Sequence, residues 1–192
     1  MFYFLYKWTT YQSPARKPLT HLIQSIQEKK EKWKQKKFEL QISPFVDDDK
    51  KVYYMPILDI EEVDFKYYDR ELFNCYCFTG KGLHLFSNKL FLFENIEEDL
   101  RTLKSINYKS KIDFITSYRI TPIRFFNSFS GKYNIWLWKR TKPIKNTKKL
   151  FDDALDEDYK TEQEIVTEII DFLTNVKVVG TIKDYIDFVN RI

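Results

Sequence analysis

Apolar and polar positions along the chain follow two periods. Alternation or short apolar runs predict strands at 2–10, 38–44, 52–63, 74–78, 83–86, 89–93, 111–116, 120–126 and 134–140. Segments 13–18 and 47–50 read as turns, and 65–73 as a short helix or loop. Leu19, Leu22, Ile23, Ile26 and Trp33 recur at helical spacing, which predicts a helix over 19–37 with its lysines outside. Asn95, followed by Glu98 as its reciprocal partner, opens a helix to about residue 105. Two amphipathic helices close the chain. One starts at Thr161, with Glu164 in capping-box spacing, and buries Ile165, Val166, Ile169, Ile170 and Leu173. The other starts at Thr181 and buries Ile182, Tyr185, Ile186, Val189 and Ile192. The pattern predicts an α+β fold with mixed or antiparallel sheets. It divides into a core over 1–145, a charged linker or surface excursion over 146–160, and a helical extension over 161–192.

Composition narrows this picture modestly. With 192 residues, 43% of them hydrophobic and 31% charged, the chain can bury a substantial core. Aromatics reach 18%, which favours strands and also supplies stacking surfaces for bases. A net charge of +4 does not by itself establish a nucleic-acid partner, but its distribution is uneven. Lys29 to Lys37 holds six lysines against Glu31, and Lys139 to Lys149 holds six basic residues and no acid. Five acids follow between Asp152 and Asp158. Each run also fits a solvated surface. Cys75 and Cys77 are the only cysteines. Neither a mutual disulfide nor a zinc site is expected of them, since no second Cys/His pair is present to complete the zinc ligands. They read as reduced core thiols of an intracellular protein, cytoplasmic or nuclear. Residues 1–8 are apolar but too short to span a bilayer, and they lack the features of a signal peptide.

Three clusters carry chemistry. Asp59 and Glu61 lie two apart within a strand-like run, so alternation puts both carboxylates on one face. Such a pair offers the hard oxygen ligands that Mg²⁺ or Mn²⁺ favours, and it equally fits an exposed acidic edge beside Glu62, Asp64 and Asp69. A third carboxylate comes from elsewhere in such sites, and Asp113, between Ile112 and Phe114, suits that place. The second cluster is Thr79-Gly80-Lys81-Gly82-Leu83-His84, in a chain with only four glycines and two histidines. It lacks P-loop spacing, and as a bare pattern it also fits a plain hairpin turn. His21, on the apolar side of a helix, reads as structural. With His84 the only other histidine, the paired-histidine centres of rolling-circle nucleases are excluded. The third cluster is Arg119, Arg124, Ser128 and Gly131-Lys132, suited to gripping phosphate oxygens.

The order of the clusters is more specific than any one of them. An Asp-x-Glu strand, then a small-hydroxyl/Gly-x-Gly-x-His strand, then a hydrophobic-Asp followed by Arg, Ser and Gly-Lys resembles the archaeo-eukaryotic primase superfamily. The resemblance covers roughly residues 40–140. It implies the primase-type core of that superfamily. It further implies that Asp59, Glu61 and Asp113 bind two divalent metals, Mg²⁺ or Mn²⁺. Thr79, Lys81, Gly82 and His84, together with Arg119, Arg124, Ser128 and Lys132, would then hold the incoming nucleotide, His84 at its phosphates. The zinc-binding cysteines of many primases have no counterpart here.

The activity so implied is that of a template-directed nucleotidyltransferase. It would form phosphodiester bonds from nucleoside triphosphates on a single-stranded DNA template by a two-metal mechanism. A helicase or another replication protein is the implied partner, and no membrane is involved. Lys139, Arg140, Lys142 and Lys145 would follow template phosphates, a salt-sensitive and sequence-indifferent contact. Two alternatives stay open. One is a catalytically inactive nucleic-acid-binding relative within a replication complex. The other is a metal-dependent nuclease, since Asp64-Phe65-Lys66 matches a D/E-x-K signature.

Overall fold

The computed structural model describes residues 1–9, 11–35, 39–60, 71–80, 82–106, 112–113, 122–131, 134–142 and 160–191. Strand β1 (Tyr3–Lys7) alternates buried and half-buried positions, which points Phe4 and Tyr6 inward. Segment 13–18, expected as a turn, instead holds strand β2 (Ala15–Pro18), antiparallel to β1. It is an edge strand, where Pro18 loses no needed ladder bond. Its polar side chains concealed it from pattern reading: Arg16 lies 4.0 Å above the Tyr3 ring and pairs with Asp47 and Asp49.

Helix α1 (Leu19–Glu28) buries Leu22 and Ile26 but stops well short of residue 37. A 3-10 helix, Lys30–Gln35, takes over. Lysines recur at i, i+3 and i, i+4 there, and like charges at those spacings oppose an α-helix. Strand β3 (Gln41–Asp47) runs through Pro44, where an end had been expected. Phe4 opposes Val46 and Tyr6 opposes Ile42, so β3 bulges around Pro44, a place where a residue without an N–H is tolerated.

The single strand expected over 52–63 is two strands in two sheets. β4 (Val52–Tyr54) pairs with β3, whereas β5 (Ile57–Ile60) joins a second sheet. Pro56 lies at the break. Around it, Met55 N–H donates to the Pro44 carbonyl at 2.7 Å and Ser87 N–H to the Pro56 carbonyl at 2.9 Å. β6 (Cys75–Phe78), β7 (Leu83–Phe86) and β8 (Lys89–Leu92) follow, close to the expected spans. Helix α2 (Ile96–Ser105) is capped as foreseen by Asn95, whose side chain accepts from Glu98 N–H. The reciprocal partner is Asp99 rather than Glu98: its Oδ2 accepts from the backbone N–H of Glu94 and Asn95.

Four short strands come next: β9 (Ile112–Asp113), β10 (Ile123–Arg124), β11 (Phe129–Ser130) and β12 (Ile135–Trp136). Helix α3 (Glu162–Thr174) carries the full Thr161–Glu164 capping box. Strand β13 (Lys177–Thr181), which no pattern announced, leads into helix α4 (Ile182–Arg191).

The large sheet has the order β13-β8-β4-β3-β1-β2, with β10 also on β3. Its pairs are antiparallel except β13 against β8, so the sheet is mixed. The second sheet, β6-β7-β5-β9, is antiparallel throughout, and β11 and β12 form a separate ribbon. With four α-helices among the described residues, the fold is α+β.

Two apolar clusters lie on opposite faces of the second sheet. One takes Ile57, Cys75, Cys77 and Phe86 with Phe4, Phe125 and Phe126, and α3 adds Ile165, Val166, Ile169, Phe172 and Leu173. The other takes Leu58, Ile60, Tyr76 and Leu85 with Phe91 and Leu103, and α4 adds Ile182 and Tyr185. Both C-terminal helices, expected as an extension over 161–192, contribute side chains to these cores. Most of the linker expected over 146–160 lies outside the described residues, which resume at Lys160.

Phe86 is fully buried, with its ring 5.0 Å from Phe125, 5.2 Å from Phe126 and 6.5 Å from Phe172. Phe86→Ala is expected to cost about 3–5 kcal/mol in urea unfolding. An unchanged midpoint would remove this ring cluster from the account of stability.

Candidate active site

The site is built by strand register. Asp59 on β5 stands opposite His84 on β7 and, on its other side, opposite Asp113 on β9. Directly opposed residues of antiparallel strands are immediate neighbours. The row extends to Cys77 on β6, which stands opposite His84. Cys77, His84, Asp59 and Asp113 thus form one line across four strands. Cys77 is fully buried and the His84 side chain is 10% exposed, whereas that of Asp59 is 37% exposed. From Cys77 to Asp59 the line leads from a dry interior toward solvent.

His84 is held at both nitrogens. Nδ1 lies 3.1 Å from the Arg124 carbonyl oxygen, and Nε2 lies 3.4 Å from Asp59 Oδ1. A carbonyl can only accept, so Nδ1 carries a proton and donates. Nε2 is left facing the carboxylate, as a lone pair on the neutral ring or as a second donor on the imidazolium. The ring packs edge-on against Phe86 at 6.1 Å.

The turn before His84 closes β6 onto β7. Thr79 N–H donates to the Gly82 carbonyl at 2.9 Å, and Gly82 N–H donates to Thr79 Oγ1 at 3.2 Å. Gly80 has φ of 97°, a conformation closed to most side chains. The Thr79 hydroxyl therefore works within the turn as an acceptor, where the sequence reading had assigned it to the nucleotide.

The third cluster divides. Arg124, on β10, gives its carbonyl to His84, and its Nε donates to Glu39 Oε2 at 2.7 Å. Ser128 had been expected at the phosphates but is fully buried: its hydroxyl accepts from Leu40 N–H at 3.1 Å and donates to the Leu40 carbonyl at 3.3 Å. It fastens the residue that leads into β3, and both of these bonds engage its hydroxyl within the fold. Gly131 is exposed in the turn between β11 and β12. Glu61, Lys81, Arg119, Lys132 and Lys145 lie outside the described residues, as does Asp64.

Along the outer edge of β6, Arg140 exchanges backbone hydrogen bonds with Tyr76 at 2.8 and 2.9 Å. The Tyr76 hydroxyl donates to the Lys142 carbonyl at 2.8 Å, and the Lys142 side chain is exposed. The Lys139 ammonium lies 4.0 Å from Glu168, which Lys160 also approaches at 2.7 Å. Of the predicted basic contacts described, Lys142 faces solvent and Lys139 has an acidic neighbour.

Burial pushes the Cys75 and Cys77 thiols well up from their ordinary range, so both stay protonated near neutral pH, as core thiols do. His21 is exposed rather than on the apolar side of α1, with Nδ1 3.0 Å from the Tyr6 hydroxyl. Among the described residues no three acidic, histidine or cysteine side chains are gathered as metal ligands, and no helix is long and apolar enough to cross a membrane.

Glu39 was overlooked in the sequence. The alternation of 38–44 puts it on one face with Gln41, and that was the signal that could have drawn attention to it. Comparison with known proteins yields no matching family model, curated protein or solved structure.

The two glycine–lysine turns predict different mutational outcomes. Gly80→Ala is expected to destabilise by about 1–2 kcal/mol, because its φ is positive. Gly131→Ala is expected to be neutral or slightly stabilising, since a Cβ there meets nothing within 4 Å. Thermal unfolding of the two variants checks this, and equal losses would contradict it.

Proposed function

We propose that this chain is the catalytic domain of a primase-polymerase, with a core of the archaeo-eukaryotic primase type. It joins nucleoside triphosphates on a single-stranded DNA template. The observation that carries the reading is the ladder register. Three motifs far apart in sequence bring Asp59, His84 and Asp113 to opposed positions on adjacent strands. Asp59 and Asp113 stand directly opposed, a placement suited to two oxygen donors sharing one hard cation. With Glu61 they would hold Mg²⁺ or Mn²⁺. Such ions supply a lowered pKa at the attacking 3′-hydroxyl and charge neutralisation at the departing pyrophosphate.

The protein's own groups do the rest. His84, beside Asp59, meets the triphosphate through Nε2, and its ring is fixed by the Arg124 carbonyl. The terminal nitrogens of Arg124 offer the planar donor geometry that phosphate oxygens accept. Lys142 and the basic stretch around it give a sequence-indifferent path for template phosphates. A helicase or another replication protein is the partner class that fits such a domain.

Incubation with single-stranded template, labelled nucleotides and Mg²⁺ or Mn²⁺, with and without primer, tests the reading. Asp59→Ala and Glu61→Ala are each expected to abolish incorporation while leaving the unfolding midpoint unchanged or raised, because carboxylates gathered for a metal would repel one another without it. Asp113→Asn is expected to cut turnover severely and Asp64→Asn to be tolerated. Retained turnover in Asp59→Ala and Glu61→Ala would end the polymerase reading. DNA cleavage without nucleotides would favour the nuclease.

His84→Ala separates the two substrates. It is expected to weaken nucleoside triphosphate binding and leave template affinity nearly unchanged, as measured by calorimetry and by fluorescence anisotropy. Loss of template binding with nucleotide binding intact would reverse the assignment of the glycine turn.

A further inference from the structure

Arg124 is unusual in the number of roles that converge on one residue. Its carbonyl fixes the His84 ring, its backbone lies opposite Gln41 in the ladder, and its Nε donates to Glu39. Its side chain is 30% exposed, and that of Glu39 only 18%. Neither Nη atom of Arg124 has a partner among the described residues.

Glu39 is itself held from three directions. Its N–H donates to the Trp8 carbonyl at 3.1 Å, and Gln41 Nε2 donates to its Oε2 at 3.3 Å. The next residue, Leu40, is clamped at both backbone groups by the Ser128 hydroxyl, and its carbonyl also accepts Phe125 N–H at 2.8 Å. These bonds present the carboxylate to one edge of the guanidinium. Nε is occupied, and among the described residues the Nη pair is not.

We propose that Glu39 is a positioning residue for polyphosphate binding: it orients Arg124 through Nε so that the two terminal nitrogens meet phosphate oxygens beside His84. The inference rests on the phosphate-binding role proposed for Arg124. Two influences of Glu39 on an anion have opposite signs. Its negative charge repels a polyphosphate, whereas its hold on Arg124 removes the rotamer freedom of a long side chain before binding. The bond is charge-assisted and partly buried, which strengthens the second influence, and the same burial leaves the charge of Glu39 largely offset by Arg124. Positioning therefore dominates.

The test uses inorganic tripolyphosphate without divalent metal, measured by calorimetry on the full chain, alongside nucleotide incorporation. Glu39→Ala is expected to weaken tripolyphosphate binding about tenfold or more, the scale of one charge-assisted hydrogen bond. Glu39→Gln keeps an acceptor for Nε and is expected to stay within about threefold of wild type. The double variant with Arg124→Ala is expected to be no weaker than Arg124→Ala alone, since Glu39 acts through that residue. In incorporation, Glu39→Ala is expected to raise KM for the nucleotide far more than it lowers kcat. Tighter binding by Glu39→Ala would show that repulsion governs and would overturn the proposal. Equal losses in the Ala and Gln variants, or additive losses in the double variant, would do the same. Wild type that binds no tripolyphosphate would remove the phosphate site and this inference together. The expected binding pattern without any incorporation would uphold Glu39 and sink the polymerase reading alone.

Discussion

The antiparallel register of β5 against β7 is the constraint on which the rest depends. Asp59 meets His84 only because Ile57 is held opposite Phe86, two residues back on the same face. A slip of one residue exchanges the faces of a strand. Asp59 would then turn into the cluster that holds Leu58, Tyr76 and Leu85, and its carboxylate would lose water without gaining a partner. An uncompensated buried charge costs at least several kcal/mol. Apolar side chains fill both faces of this sheet, so the register is fixed by packing on each side, and the polar row is a consequence of that packing.

The sheet's position between two cores also explains why its chemistry is concentrated at few places. β6 and β7 are buried along their whole length, and β5 is buried except at Asp59. A polar side chain in such strands must be satisfied internally or lie where the cover ends. His84 is satisfied at Nδ1 by the Arg124 carbonyl, and Asp59 lies where the cover ends. The large sheet supplies the other half of this arrangement: β10 docks on β3, and the same short segment that fixes His84 also presents Arg124 to Glu39.

These features differ in how plainly the sequence displays them. β7 and the caps at Asn95 and Thr161 follow from local chemistry, alternation in one case and side-chain acceptors in the others, and they stand where that chemistry puts them. Asp59 and His84 interrupt apolar runs, so each was visible as an exception even before its neighbour was known. The break at Pro56 was hidden because both of its flanks are apolar, and only the choice of sheet separates them. β13 was hidden because Lys177–Thr181 is short and gains its strand geometry from pairing with β8, a tertiary cause that no local pattern carries. Ser128 misled for a related reason. A hydroxyl that clamps Leu40 has the same sequence signature as one that would bind phosphate, and burial alone tells them apart.

The basic stretch shows how the second sheet turns register into placement. Arg140 is tied to Tyr76 by backbone bonds and Lys142 by the Tyr76 hydroxyl at its carbonyl, so this segment adds itself to the outer edge of β6. It is three strand spacings from Asp59, about 14 Å at the usual separation of paired strands. The next residue inward is secured from the other side: Lys139 N–H donates to Asn127 Oδ1 at 2.9 Å, and its carbonyl accepts from Lys160 at 3.0 Å. Asn127 holds a φ of 64° and donates to the Ile165 carbonyl and to Glu168, which Lys160 also pairs with. The same helix that fills the core with Ile165 and Ile169 therefore fixes the start of the basic run. Lys139 serves this anchorage, and the exposed charge passes to Lys142. The distance of that charge from Asp59 is therefore set by hydrogen bonds, and helix α3 is part of what sets it.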